Sequence, residues 1–221
     1  MKKNGIWIVI PAYNEDKYIE RVLKRVVAIT PNIVVVDDGS SDNTAHLAAR
    51  HADHVLHHSL NLGKGAAMKT GCDYVFQHLQ GRGVIFFDAD DQHDPELLTQ
   101  FTRALSKTEV VLGVRSFNNQ MPLMRIIINR LASVITLLLF GKYIPDIPCG
   151  YKAITRKAYS KVRWESNDYA VEMEIAARIS HHKIKFQTVA IPTVYHDLDR
   201  GMTILDTFNI IPRILRWRLI I

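Results

Sequence analysis

A chain of 221 residues fits one fairly large domain, or one domain with a short appendage. With 48% hydrophobic and 23% charged residues it has ample material for a core, which excludes a disordered chain. The net charge is +6, yet residues 103–163 hold 11 Lys/Arg against 2 Asp/Glu, so the middle awaits an anionic partner: nucleic acid, phospholipid headgroups or a phosphate-bearing substrate.

Ile6–Ile10 is a continuous apolar run, the pattern of a strand buried on both faces of a parallel sheet, with Pro11 expected to stop it. The chain turns polar by Asn14, so this run is too short for a secretory leader. Tyr18 to Val27 shows the 3.6-residue period of an amphipathic helix. Ile33–Val36 predicts a second buried strand, and Asp42 or Asn43 a cap for a helix through Arg50. A short strand over Asp53–Leu56, a helix over Lys64–Leu79 and a strand over Val84–Phe87 follow. Pro95-Glu96 opens another helix, and Val110–Gly113 closes the series as a strand. This alternation predicts an α/β fold, a mostly parallel sheet flanked by helices, with the site at the carboxyl ends of its strands.

After Gly113 the pattern changes. Met121–Phe140 is apolar but interrupted by Arg125, Asn129 and Arg130. Its unbroken part, Leu131–Phe140, is about half of what spans a bilayer, so a buried or an interfacial helix is expected. Phe208–Ile221 mixes apolar residues with Arg213, Arg216 and Arg218, as a membrane-surface segment does. Cys72 and Cys149 make no disulfide framework, which suits a reducing setting. Cys149 reads as a small packed residue.

The polar residues gather at predicted strand ends. Asp88 and Asp90 of Phe87-Asp88-Ala89-Asp90-Asp91-Gln92 can face one side of a strand end, where two hard oxygen ligands suit Mg²⁺ or Mn²⁺; an acidic turn capping the Pro95 helix is the plainer reading. His93 is either a further ligand or a residue behind one. Asp37-Asp38-Gly39-Ser40 offers carboxylates to a base or ribose, and Pro11-Ala12-Tyr13-Asn14-Glu15 a third polar strand end. Leu62-Gly63-Lys64-Gly65 looks like a phosphate-contacting turn without the P-loop spacing. The histidines at 51, 54, 57, 58, 181 and 182 lack the spacing of a four-ligand zinc site.

These four motifs, in this order and spacing, resemble the family 2 inverting glycosyltransferases of GT-A fold, and most of all the dolichol- or polyprenyl-phosphate sugar synthases. Asp146-Ile147-Pro148-Cys149-Gly150-Tyr151-Lys152 resembles a segment of that subgroup, Val171–Ile175 its acidic helix and Ile191–Tyr195 its following strand. Two positions depart from the pattern: Asp91 stands for the Gly of D-x-D-G, and Asn129 for a frequent Ser.

The resemblance implies a catalytic domain over residues 1–203, with a nucleotide-sugar half at 1–115 and an acceptor half at 116–203, and a membrane-proximal segment at 204–221. A GDP-mannose or UDP-glucose type donor would be held by Pro11, Ala12, Tyr13, Glu15, Asp37, Asp38, Lys64, Asp88 and Ala89. Asp88, Asp90 and Gln92 would hold Mg²⁺ or Mn²⁺, and Arg115, Arg125 and Asn129 the phosphate of a polyprenyl or dolichyl acceptor. Such a phosphate is already anionic and demands no strong base; a sugar hydroxyl would, with Asp146, Glu172 or Glu174 as candidates beside the catalytic Asp90. Read without the family, Glu172 and Glu174 are equally exposed helix residues pairing with Arg178. Rival readings are a transferase of the same fold that elongates a glycan and a non-catalytic nucleotide-binding protein. No basic–aromatic motif supports nucleic acid. The expected location is cytoplasmic, peripheral at the inner membrane face, with the oligomeric state open.

Overall fold

The computed structural model describes residues 5–116, 123–193 and 204–220, with side chains of the last helix described from residue 212. The expectations that fall on residues 1–4, Met121, Val194, Tyr195 and the Phe208 side chain lie outside these residues.

In chain order the elements are β1 (Ile6–Ala12), α1 (Ile19–Val27), β2 (Ile33–Asp37), α2 (Thr44–Ala49), β3 (His54–His57), α3 (Lys64–Gln77) and β4 (Gly83–Phe86). A 3₁₀ turn at Pro95–Leu97 leads into α4 (Leu98–Leu105), then β5 (Val110–Arg115), α5 (Leu123–Phe140), β6 (Lys152–Thr155), α6 (Arg156–Val162), α7 (Val171–His181), β7 (Phe186–Ile191) and α8 (Ile204–Ile220). The seven strands form one sheet in the order β3-β2-β1-β4-β6-β5-β7. All neighbours are parallel except β6, which runs against both β4 and β5.

Each buried run divides its side chains between two cores, as the two-residue period of a strand requires. Val9, Val34, Val36, Val84 and Phe86 point to the side covered by α3, α6 and α7, whereas Ile8, Ile10, Ile33, Val35 and Ile85 meet α1, α2 and α4. Fully burying one such aliphatic side chain contributes roughly 1.5–3 kcal/mol, so these runs fix the register of the sheet.

Pro11 does not end β1: it pairs with Val36, and Ala12 with Asp37. Ile8 and Ala12 bond toward β2 and Val9 toward β4, so Pro11 presents its missing N–H on the β4 side. That ladder already stops at the Val9–Phe86 pair, and no hydrogen bond is lost. The strand expected over Ile191–Tyr195 lies earlier, at Phe186–Ile191, and β6 is an addition to the expected series. Asp42 rather than Asn43 satisfies the start of α2, accepting from Thr44 N at 2.9 Å.

Because β6 alone is reversed, one edge of the sheet collects the carboxyl ends of β1, β2, β4, β5 and β7 with the start of β6. Ala12, Asp37, Arg115, Lys152 and Ile191 all lie along it, and Asp88 follows two residues after β4.

α5 is built inside out. Asn129, Ser133 and Thr136 are buried against α7, and Leu123, Leu131 and Leu138 are 71%, 54% and 76% exposed. Ser133 and Thr136 hide their hydroxyls by donating to the carbonyls of Asn129 and Ala132 in their own helix. Among the described residues it is the one helix long and apolar enough, by length and composition, to cross a membrane. α8 buries Ile214 and Trp217 in the core and leaves Leu215, Leu219 and Ile220 exposed.

Candidate active site

A cavity of about 780 Å³ opens at this edge. The end of β1 and the loop after it supply Pro11, Ala12, Tyr13, Asn14 and Glu15; the end of β2 supplies Asp38; the turn into α3 supplies Asn61, Gly63 and Lys64. Asp88, Ala89, Asp90, Gln92 and His93 come from the loop after β4, Arg115 from β5, and Arg125, Ile128 and Asn129 from α5. Asp168, Tyr169 and Glu172 close the cavity at the start of α7.

The centre is a chain of alternating charges. The Lys64 ammonium lies 2.8 Å from Asp88 and 3.5 Å from Glu172, whose other oxygen is bonded by the ammonium of the buried Lys152. Lys152 is further held by the carbonyls of Ile147 and Cys149. Burial works against the Lys64 charge, but Asp88 and Glu172 outweigh it and raise its pKa. Burial likewise opposes the Asp88 carboxylate, and Lys64 with its neighbours still brings it down to about 2. Asp90 goes the other way: burial and the Asp88 charge push it up to about 6. Burial brings His93 down to about 4, so it is neutral at pH 7, and its Nδ1 accepts from the Asp88 backbone N–H at 3.2 Å.

Two carboxylates that repel one another at a cavity wall form a hard-oxygen donor set for a divalent cation. Glu172 Oε1 is buried without a hydrogen-bond partner and faces the same cavity. Gly150 is required beside them: a Cβ there would stand 2.3 Å from Asp88 Oδ2. Gln92 lines the wall and donates its backbone N–H to Asp90 Oδ1 at 3.1 Å.

Four expected site residues serve behind the cavity or are differently engaged. Asp37 is buried below it, where His57 Nδ1 lies 2.5 Å from Oδ2 and Ser40 N donates to Oδ1; Asp38 faces the cavity in its place. Glu174 is neither exposed nor in the cavity. It accepts from the backbone N–H groups of Glu165 and Ser166, from the Ser166 hydroxyl and from Arg178. Burial opposes this carboxylate, but those donors lower its pKa, as befits a structural acceptor rather than a base. Asp146 lies under the cavity, gripped by Arg115 Nε at 2.9 Å and Nη2 at 2.6 Å and by Asn129 Nδ2 at 2.8 Å. Asn129 thus gives one of its two amide N–H groups to Asp146, and its Oδ1 is buried without a hydrogen-bond partner.

Asn61, Asp168, Tyr169 and Gly150 were not singled out individually by sequence reasoning. Asp168 had a visible signal, since it precedes the apolar start of α7 and accepts from Ala170 N at 3.0 Å.

The comparisons with known proteins agree with this geometry. Over 95% of this chain and 94% of its own length, a UDP-N-acetylglucosamine–dolichyl-phosphate N-acetylglucosaminyltransferase of Methanococcus voltae is 29% identical. A polyprenol monophosphomannose synthase of Mycolicibacterium smegmatis is also 29% identical, over 92% of this chain and 82% of its own. Glucosyl-3-phosphoglycerate synthase of Mycobacterium tuberculosis, crystallised with Mn²⁺, UDP-glucose and phosphoglyceric acid, superimposes with a TM-score of 0.72 at 18% identity. That match covers 96% of this chain and 79% of the other, and it shows the GT-A fold. Residues 7–163 match the family model for Glycosyl transferase family 2, and the chain belongs to that family as a hexosyltransferase.

Proposed function

We propose that this enzyme moves a hexose from a nucleotide sugar to a polyprenyl-type lipid phosphate, with inversion, at a membrane surface. The observation that carries the reading is the two-sidedness of α5. Arg125 reaches the cavity from one side of this helix, and a largely apolar face, which includes the exposed Arg130, points away from the protein on the other. A lipid phosphate needs both, a cation for its headgroup and a surface that meets hydrocarbon. Both transferases compared above act, by name, on such acceptors.

The acceptor phosphate oxygen attacks the anomeric carbon from the face opposite the nucleoside diphosphate. As the new C–O bond forms, the bond to the diphosphate breaks and its electrons leave with the nucleotide. Asp88 and Asp90, with Gln92 beside them, would hold Mg²⁺ or Mn²⁺, which supplies positive charge to the diphosphate. Lys64 stabilises charge on the same leaving group. Asp38 stands where the base or ribose would lie, with Pro11, Ala12, Tyr13 and Glu15 walling the donor side. Both carboxylate oxygens of Glu172 lie against ammonium groups, those of Lys64 and Lys152, so Glu172 is engaged in ion pairs rather than turned toward an acceptor hydroxyl; this favours an acceptor that arrives already ionised.

Purified protein, Mn²⁺ and a panel of labelled GDP- and UDP-sugars, incubated with polyprenyl phosphate in detergent, should yield a labelled lipid with one of the donors. Transfer to an oligosaccharide but never to lipid phosphate would favour the glycan-elongating alternative. The absence of turnover with every donor would refute the reading.

A further inference from the structure

We infer that His58 is a positioning residue: it holds Asp38, and through Asp38 the turn that presents Lys64. The inference rests on the donor reading above. His58 follows directly on β3, and its backbone N–H donates to Asp37 O at 2.9 Å. The imidazole is thereby set under the donor side of the cavity, with its side chain 10% exposed and that of Asp38 only 4%. Nδ1 lies 2.6 Å from Asp38 Oδ1, and Nε2 lies 3.0 Å from Thr70 Oγ1 on α3. A carboxylate at that distance requires the proton on Nδ1, so in the neutral ring Nε2 accepts from the Thr70 hydroxyl.

The other bonds of Asp38 show what this secures. Oδ1 also accepts from Leu62 N at 2.9 Å and Oδ2 from Gly63 N at 2.7 Å. Gly63 has φ +97°, and a Cβ there would stand 2.4 Å from Asn167 O, so the turn is caught between Asp38 and the loop before α7. Ala66 N donates to the same Asn167 carbonyl at 3.1 Å. Lys64, the next residue after Gly63, reaches Asp88. Asp38 is therefore a bracket for two backbone N–H groups as well as part of the wall, and His58 supplies the donor that keeps its buried charge in place. Without the imidazole, Asp38 Oδ1 loses its side-chain donor, and the Leu62–Gly63 turn loosens beneath Lys64.

Two measurements test this on the full chain, using H58F, which keeps ring volume but has no donor, H58N, whose amide can reach the Nδ1 position, and T70V, which removes the far anchor. In the ligand-free protein, amide hydrogen exchange at Leu62 and Gly63 should quicken about tenfold in H58F, less in T70V, and return toward wild type in H58N. With saturating Mn²⁺, H58F should bind UDP or GDP about tenfold more weakly, the worth of one charge-assisted hydrogen bond. Unchanged exchange at both amides in H58F and T70V would overturn the inference, as would diphosphate affinity in H58F equal to that of the wild type. If H58F does not fold, T70V decides. If the wild type binds neither UDP nor GDP, the donor reading fails, and the exchange measurement still judges His58.

Discussion

Replacing Glu172 by glutamine removes the one negative charge that separates Lys64 from Lys152. Both Glu172 and Lys152 are almost completely buried, so the ammonium of Lys152 cannot turn to water when its partner goes. Breaking a buried pair by neutralising one member costs about 3–5 kcal/mol. Lys64 keeps Asp88, and Lys152 keeps the carbonyls of Ile147 and Cys149, which places E172Q at the low end, about 3 kcal/mol. For a chain of this size that lowers the thermal midpoint by roughly 6–12 °C. Thermal unfolding of E172Q, K152M and the double variant reads both the cost and its origin. Because the double variant removes both charges at once, it should be more stable than the sum of the single losses predicts, by about 1–3 kcal/mol. An E172Q midpoint within a degree of wild type, or strictly additive losses, would refute the buried ion pair.

Three further outcomes are expected. Asp90 has its pKa raised to about 6 by burial and Asp88, against an unfolded value of about 3.9, so in the metal-free protein its stabilising effect is complete below that value and is lost as pH rises through 6. Cation binding needs the carboxylate, so Mn²⁺ affinity, followed by electron paramagnetic resonance, should fall about tenfold from pH 7 to pH 5; D90N should bind Mn²⁺ weakly at both values, and a flat wild-type profile would remove Asp90 from the metal site. R125A should raise the acceptor KM roughly ten- to a hundredfold, equivalent to about 1.5–3 kcal/mol, with donor KM nearly unchanged. In co-sedimentation with anionic vesicles, L131E/L138E should remain in the supernatant where wild type pellets, while its thermal midpoint stays within a few degrees; equal pelleting would move the lipid contact off α5.

The central strands were legible because burial on both faces leaves nothing to interrupt an apolar run. Val34-Val35-Val36 and Val84-Ile85-Phe86 are such runs, and both lie in the sheet interior. β6 was not legible, since four residues with a lysine at the start carry no distinctive period, and the partner that buries Lys152, Glu172, is 20 residues away. That Asp88, Asp90 and Lys64 would gather at the carboxyl edge of the sheet was legible, because each follows directly on a predicted strand or opens a predicted helix. The division of labour between Asp37 and Asp38, or between Glu172 and Glu174, was not. Adjacent or alternate carboxylates look alike in sequence, and only their three-dimensional partners separate the one that lines the cavity from the one that ties down a loop. His57 and His58 had no zinc-site spacing and no visible partner in the sequence; the sheet places each against an aspartate.

α5 joins the two halves of the proposed reaction in one element. A helix normally buries its apolar stripe and wets its polar one, and inverting that order forfeits roughly 1.5–3 kcal/mol for every large side chain left in water. The loss is tolerable only where another apolar phase covers the stripe or where the polar side performs a task that leucine cannot. The second condition operates on α5, and the lipid surface proposed above would meet the first. Its inward polar side supplies Asn129, which with Arg115 fixes the buried Asp146 and so orients the end of β5 toward the cavity. One turn earlier, Arg125 brings a cation to the same cavity. Leu131, Val134 and Leu138 follow Ile127 on the outward side at helical spacing, with the exposed Arg130 among them. A phosphate bound at Arg125 would be held on the cavity side of α5, and a prenyl chain attached to it would pass round the helix to reach the apolar track on its outward side. α8 repeats the arrangement on a smaller scale, with Trp217 and Ile214 anchored in the core, Leu215 and Leu219 outward, and Arg213 paired with Asp168 at the cavity rim at 2.7 Å. If the exposed leucines serve the proposed lipid acceptor, polar substitution there should reduce transfer to long-chain polyprenyl phosphate more than to a short, water-soluble phosphate acceptor. Equal reduction for both would mean that the apolar track plays no part in acceptor recognition.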